Sequence, residues 1–239
     1  MGFQDEVRAT FRYGDTESVF RMATAELERA RAAGEPAGEV EALYAMARVA
    51  LRRGDLPRAQ ELAREALDVA LRSGDRRLEE RPRHVLAGVA RLAGDHVEAR
   101  ARYLASISLN EALGRPEMVN AETYNLAFTE LHLGNLDRAR DLFATVRERV
   151  FRDGYRYFVP YLGVAAAAMA VAGGDHVEAA RMTGFADQAF AAIGQVPDPD
   201  DAAELSRVRA AAVARLGEDA YAAAYAAGAA LPSLEDGNG

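Results

Sequence analysis

Glycine stands at positions 14, 34, 54, 74, 94, 114, 134, 154, 174 and 194, ten times in succession at a spacing of twenty. The chain of 239 residues contains only 20 glycines, so half of them sit on this lattice. A fixed internal period marks a repeat architecture, in which each unit buries its apolar face only against its neighbours. Two classes of turn alternate along the lattice. Gly14, Gly54, Gly94 and Gly174 are followed by aspartate and Gly134 by asparagine. Glycine takes the left-handed conformation that ends one helix, and the following Asp or Asn side chain caps the next. The second class, Gly34, Gly74, Gly114, Gly154 and Gly194, lies in looser polar segments such as GEPAGE and GRPEM.

Between turns there is room for a helix of roughly 17 residues, about 25 Å long. Two helices make a 40-residue repeat. The spacing predicts an all-α protein, a right-handed α-solenoid of about six helical hairpins filling residues 1–232 as a single domain. The repeats fall at about 1–34, 35–74, 75–114, 115–154, 155–194 and 195–232, with a polar tail at 233–239. Five residues after each hairpin glycine comes a small residue, Val19, Ala59, Ala99, Ala139 or Ala179. That places a short side chain where two helices cross closely. Asp95 with Glu98 and Asp175 with Glu178 have capping-box spacing, and the hexapeptide GDHVEA recurs at 94–99 and 174–179. In the last repeat the rhythm slips by three, to Gly217 with Ala222, across an insertion at 195–201.

The G-D/N-x-x-x-A pattern between two helices resembles the tetratricopeptide repeat (TPR), carried by Gly54, Asp55 and Ala59. Leu126, Ala127, Gly134, Ala139 and Phe143 extend the match. The departures are the absence of tryptophan, a period of 40 rather than 34, and no regular proline after the second helix. A 40-residue period also falls in the range of HEAT and armadillo repeats. More narrowly, AARMTGFADQAFAAIG (179–194) and ARLGEDAYAAAYAAGAALP (214–232) resemble the end of the C-terminal TPR arrays of large bacterial LuxR-type and SARP-type regulators, many of them actinobacterial. In those regulators the array is a sensory or protein-binding part joined to an ATPase and a helix-turn-helix. Here the repeats consume the chain, which reads as a stand-alone relative or as a fragment.

Composition narrows the chemistry. Half the residues are hydrophobic and 52 are alanine, with no alternating strand pattern. A net charge of −8 argues against nucleic acid as the main partner. There is no cysteine, hence no disulfide or thiolate metal site, which fits a reducing cytosol. Every one of the 29 basic residues is arginine, so no lysine nucleophile, Schiff base or P-loop exists. No secretory leader is visible, and the longest apolar stretch, Val164 to Ala172, is far short of a membrane span. The expected location is the cytoplasm.

The four histidines, at 84, 96, 132 and 176, form no HExxH or other metal spacing, and no G-x-S-x-G elbow is present. Neither a catalytic role nor a cofactor is expected. The segment 163–174 reads as a doubly buried helix rather than a membrane or cofactor element.

TPR geometry puts the first helix of each repeat on the concave surface, with contact positions ten, six and two or three residues before the hairpin glycine. Counting back yields a candidate groove of Arg8, Tyr44, Arg48, Arg52, His84, Arg91, Tyr124 and Phe128. The full set of counted positions holds five arginines, several aromatics and no carboxylate, so the first three repeats read as a basic channel for an acidic protein or peptide. Guanidinium groups suit this role through bidentate hydrogen bonding and stacking. The alternative is that these arginines pair with acids on neighbouring second helices. Two other functions stay open: a small-molecule effector sensor, favoured by the cluster Tyr155, Tyr157, Phe158 and Tyr161, and an oligomerisation module using the alanine-rich last helix with Tyr221 and Tyr225.

Overall fold

The computed structural model describes residues 2–231; the expected polar tail at 233–239 lies outside them. Twelve α-helices and no strand occur among the described residues. The chain divides into two compact units, Met1–Leu133 and Gly134–Gly239.

The first unit holds α1 (Phe3–Arg12), α2 (Thr16–Ala33), α3 (Pro36–Arg52), α4 (Leu56–Ser73), α5 (Glu80–Leu92), α6 (His96–Ala112) and α7 (Pro116–His132). A short 3-10 helix, Arg76–Glu79, leads into α5. The second unit holds α8 (Leu136–Asp153), α9 (Val159–Ala172), α10 (His176–Ala192), α11 (Pro199–Leu216) and α12 (Glu218–Ala229), with a 3-10 turn at Arg156–Phe158 before α9.

All ten lattice glycines have positive φ, between 63° and 87°, and among the described residues no other residue type does so. The turn after α5 shows why. Gly94 reverses the chain so that the Asp95 amide donates to the Ala90 carbonyl at 2.9 Å, satisfying the end of α5. The Asp95 side chain then accepts from the Glu98 amide at 3.0 Å and opens α6. Asp15, Asp55 and Asp175 cap α2, α4 and α10 in the same way.

The reciprocal half of the expected capping box does not form. Because the Asp95 amide is already bonded to Ala90, Glu98 turns away and pairs with Arg102 at 2.7 Å. At the matching turn Glu178 pairs with Arg181 at 2.9 Å.

Val19, Ala59, Ala99, Ala139 and Ala179 are all fully buried, as close helix crossing requires. Ala222, the equivalent after Gly217, is exposed instead. The final helix crosses differently: α12 packs mainly on α10, where Gly184 and Gly228 let the two backbones meet.

In the first unit the odd-numbered helices α1, α3, α5 and α7 touch one another in sequence, while the even-numbered helices do not show the same mutual packing. The odd helices therefore form the inner layer. Its core includes Phe11, Val40, Leu43, Val49, Val85 and Leu86. Among the described residues, no helix is long and apolar enough to cross a membrane. In the second unit, Gly163, Val164, Ala165, Ala167 and Ala168 of α9 are buried, but Ala166 and the end of the segment, Ala172 to Gly174, are exposed, so the helix is buried on one side rather than doubly.

Candidate functional site

The candidate groove residues all lie on α1, α3, α5 and α7, the inner layer of the first unit. They do not form one exposed surface. Arg8 is exposed, and Tyr44, Arg48, Arg52 and His84 are half-buried. Arg91, Tyr124 and Phe128 are 3%, 2% and 0% exposed. The last two pack edge to face, with ring centroids 5.1 Å apart, and the Arg91 guanidinium lies 5.3 Å from the Phe128 centroid. These three side chains belong to the packing between α5 and α7 and are not available as a docking surface.

Towards α1 and α3 the arrangement is different. Arg48 and Arg52 both stack on Phe11, at 3.8 and 4.3 Å from its centroid. Arg48 also stands 5.7 Å from the Tyr44 ring, which Arg81 approaches from α5 at 5.1 Å. Two rings, on α1 and α3, thus hold three guanidinium groups from α3 and α5. Stacking on a ring face fixes the plane of each guanidinium.

Carboxylates are present on this layer, contrary to the expectation of an acid-free channel. Glu41 of α3, Glu80 of α5 and Glu122 and Glu130 of α7 are all buried. Glu122 and Glu130 lie one or two residues beside the counted positions, and Glu41 and Glu80 lie three and four residues before the first of them. Each links successive repeats. Arg81 hydrogen-bonds Glu41; Arg115 donates to Glu80 at 2.8 Å. His84 Nδ1 lies 3.0 Å from Glu122 Oε1, which also accepts from the Ser106 hydroxyl at 2.8 Å. Arg100 Nε donates to Glu130 at 2.9 Å.

Burial pushes the Glu41 and Glu80 carboxyls above the ordinary range. Arg81 opposes the shift at Glu41, and His84, Arg81 and Arg115 oppose it at Glu80. The acids lie deep and the bases lie above them: the Glu80 and Glu41 side chains are 4% and 11% exposed, those of Arg115 and Arg81 36% and 22%. What reaches solvent is mainly guanidinium.

Arg81 and Arg115 were not among the residues the counting selects, although a signal was available. Glu41 and Arg81 are forty residues apart, the same repeat position with opposite charge.

In the second unit the tyrosines of the last helix are engaged internally. Arg209 donates to the Tyr221 hydroxyl at 3.2 Å, and the Tyr225 hydroxyl donates to Asp187 at 2.8 Å. Tyr221 is buried, and α12 exposes alanine rather than tyrosine. In the aromatic cluster around the start of α9, Phe158 and Tyr161 are buried in internal packing, whereas Tyr155 and Tyr157 are half-buried. Phe158 stacks on Tyr161 at 4.8 Å, Tyr161 meets Phe190 at 5.0 Å, and the Tyr161 hydroxyl donates to Asp198. Among the described residues, no group of three or more His, Asp or Glu is placed to hold a metal ion.

Helical hairpins joined by Gly-Asp turns, with an inner layer of first helices, define an all-α repeat protein of the tetratricopeptide-like kind. Solved structures of that kind are similar to this chain. BtubC (BKLC) from P. vanneervenii is 20% identical, with 94% of this chain and 93% of that chain covered and a TM-score of 0.60. A Rap protein complexed with competence and sporulation factor is 15% identical, with 93% and 61% covered and a TM-score of 0.70. A P. anserina putative kinesin light chain with nearly identical TPR-like repeats is 16% identical, with 89% and 94% covered and a TM-score of 0.50. At these identities the likeness is one of fold. No protein-family model and no curated protein matches the chain.

Proposed function

We propose that this chain is a non-catalytic scaffold that binds a protein or peptide segment across the inner layer of its first unit. Arg8, Tyr44, Arg48 and Arg52 are the contact residues, and the partner segment is acidic. The observation that carries this reading is an order of charge by depth: the Glu41 and Glu80 carboxylates are buried, and the more exposed guanidinium groups of Arg81 and Arg115 stand over them, beside Arg48 and Arg52 stacked on Phe11. A surface built so presents oriented donors at low entropic cost, which favours carboxylate-bearing partners. The structure of a Rap protein complexed with competence and sporulation factor, on a similar fold, supports partner binding as a use of this architecture. The resemblance of 179–194 and 214–232 to regulator arrays supports a regulatory role.

The test is affinity capture from a bacterial lysate, comparing wild type with Arg8→Glu/Arg48→Glu, both checked for native helicity. Arg8 and Arg48 are not buried, so the variant keeps the core. A partner retained by wild type and lost by the variant supports the reading. Identical captures, or none, remove these arginines as the binding surface.

A further inference from the structure

At the edge of the inner layer, where α3, α5 and α7 begin, lies a cavity of about 290 Å³. Its wall includes Glu41, Asp75, Arg77, Glu80, Arg81 and Arg115, with Leu78 the one apolar side chain. Arg81 and Glu80 belong to the first turn of α5, and Arg115 is the N-cap residue of α7. The N-terminal ends of helices carry partial positive charge and unpaired amides.

The side chains are ordered by depth. Glu80 and Glu41 form the floor; Arg115, Arg81 and then Arg77, with a 69% exposed side chain, form the rim. Arg81 and Arg115 each meet their glutamate through Nη1 alone. The buried acid holds the guanidinium in place, and its remaining edge is left for a ligand. Asp75, the acid nearest the rim, is clamped by Arg77 through Nε and Nη2 at 3.0 and 2.8 Å. An entering group therefore meets cations first, already oriented.

We propose that this cavity is a carboxylate-binding site, which receives either the terminal carboxylate or an acidic side chain of the bound segment on Arg81 and Arg115. It rests on the peptide-binding reading above and adds an anchor point that the groove residues do not contain. Bidentate guanidinium–carboxylate pairing is the interaction that fits this geometry.

The experiment uses the full chain at fixed ionic strength and two probes. The first is citrate, followed through the arginine Nε–Hε signals of Arg81 and Arg115 by NMR. The second is fluorescein-labelled hexaglutamate, with a free or an amidated C-terminus, followed by anisotropy. Arg81→Gln/Arg115→Gln removes the rim. Because that leaves Glu41 and Glu80 without partners, Glu41→Gln/Glu80→Gln/Arg81→Gln/Arg115→Gln, which neutralises both sides of each pair, serves as the second variant.

The expected result is a saturable citrate response that matched chloride does not give, and hexaglutamate binding weakened about tenfold or more in both variants. Loss confined to the free-carboxyl peptide assigns the terminal carboxylate; equal loss for both peptides assigns side-chain carboxylates. Peptide binding that is unchanged in both variants but weakened by Arg8→Glu/Arg48→Glu overturns the cavity and leaves the groove reading standing. If no peptide binds, that reading fails for acidic segments, and citrate decides the cavity alone: saturation at Arg81 and Arg115 upholds it, and no saturation overturns it.

Discussion

Gly228 of α12 rests directly on the backbone of Arg181 in α10: a Cβ added at 228 would lie 1.8 Å from the Arg181 carbonyl oxygen. The contact is reciprocal in kind, since a Cβ at Gly184 would lie 2.1 Å from the Tyr225 carbonyl oxygen. Two helices pass at backbone distance here, and neither can carry a side chain at the crossing. Gly228→Ala and Gly184→Ala should each destabilise the second unit by roughly 1–3 kcal/mol or more, as overpacking does. Urea melts followed by circular dichroism measure this. Ala223→Gly on the exposed side of α12 is the comparison, with a cost of about 1 kcal/mol from helix propensity alone. Equal effects at 228 and 223 would show that the two backbones do not meet at this crossing.

Next to that crossing, burial and then the bond to Asp187 raise the Tyr225 phenol to about 12. A raised acid binds its proton longer in the folded than in the unfolded chain, so its contribution is full below the ordinary value of 10.0 and is lost as pH rises through 12. Thermal stability of wild type should thus fall more steeply than that of Tyr225→Phe over this window. A spectrophotometric titration should show one phenol fewer ionising late in the variant.

The Glu41 and Glu80 carboxyls are also raised by burial, with the same sign at lower pH. Their contribution is largest below the ordinary carboxylate range and declines as pH rises through the shifted values. Glu80→Gln keeps the shape and removes the charge. Its melting temperature relative to wild type should climb as pH rises above the ordinary carboxylate value of 4.5. A difference that stays flat with pH would mean that Arg115 and His84 fully compensate the buried charge.

The turns allow a simpler check. Asp95→Ala removes the bond to the Glu98 amide and should cost about 1 kcal/mol. Gly94→Ala forces an alanine to φ 81° and should cost roughly 1–2 kcal/mol. Glu98→Ala should cost little, because its side chain plays no part in the cap. A large loss in Glu98→Ala would restore the capping box that the structure lacks.

The fold was legible because its turns are made by residue types with few alternatives. A positive φ selects glycine, and an orphan amide selects aspartate, so ten turns and their helices could be placed from composition at fixed spacing. The candidate site was only half legible. Arg8, Tyr44, Arg48 and Arg52 fall on the expected layer because helix phase follows from the turn. Tyr124 and Phe128 do not reach the surface, since α7 is enclosed by neighbours whose approach depends on side-chain volume rather than on phase. The deep glutamates escaped the counting for a related reason. Glu41 and Glu80 lie about one turn before the first counted position, and Glu122 and Glu130 lie beside the row, where one helical position turns a side chain by about 100°. The glycine crossing of α10 and α12 breaks the repeat pattern, so periodicity carried no information about it.

The pairs Arg81 with Glu41, Arg115 with Glu80, and His84 with Glu122 each join one hairpin to the next. The turns of the first unit are nearly interchangeable, but these pairs are not. Excising residues 75–114 would preserve every remaining turn and yet set Glu41 opposite Ala121 in place of Arg81. The buried charges thus give each hairpin an address. A chain assembled from near-copies, whose geometry alone would accept any order, is restricted by them to a single sequence of modules.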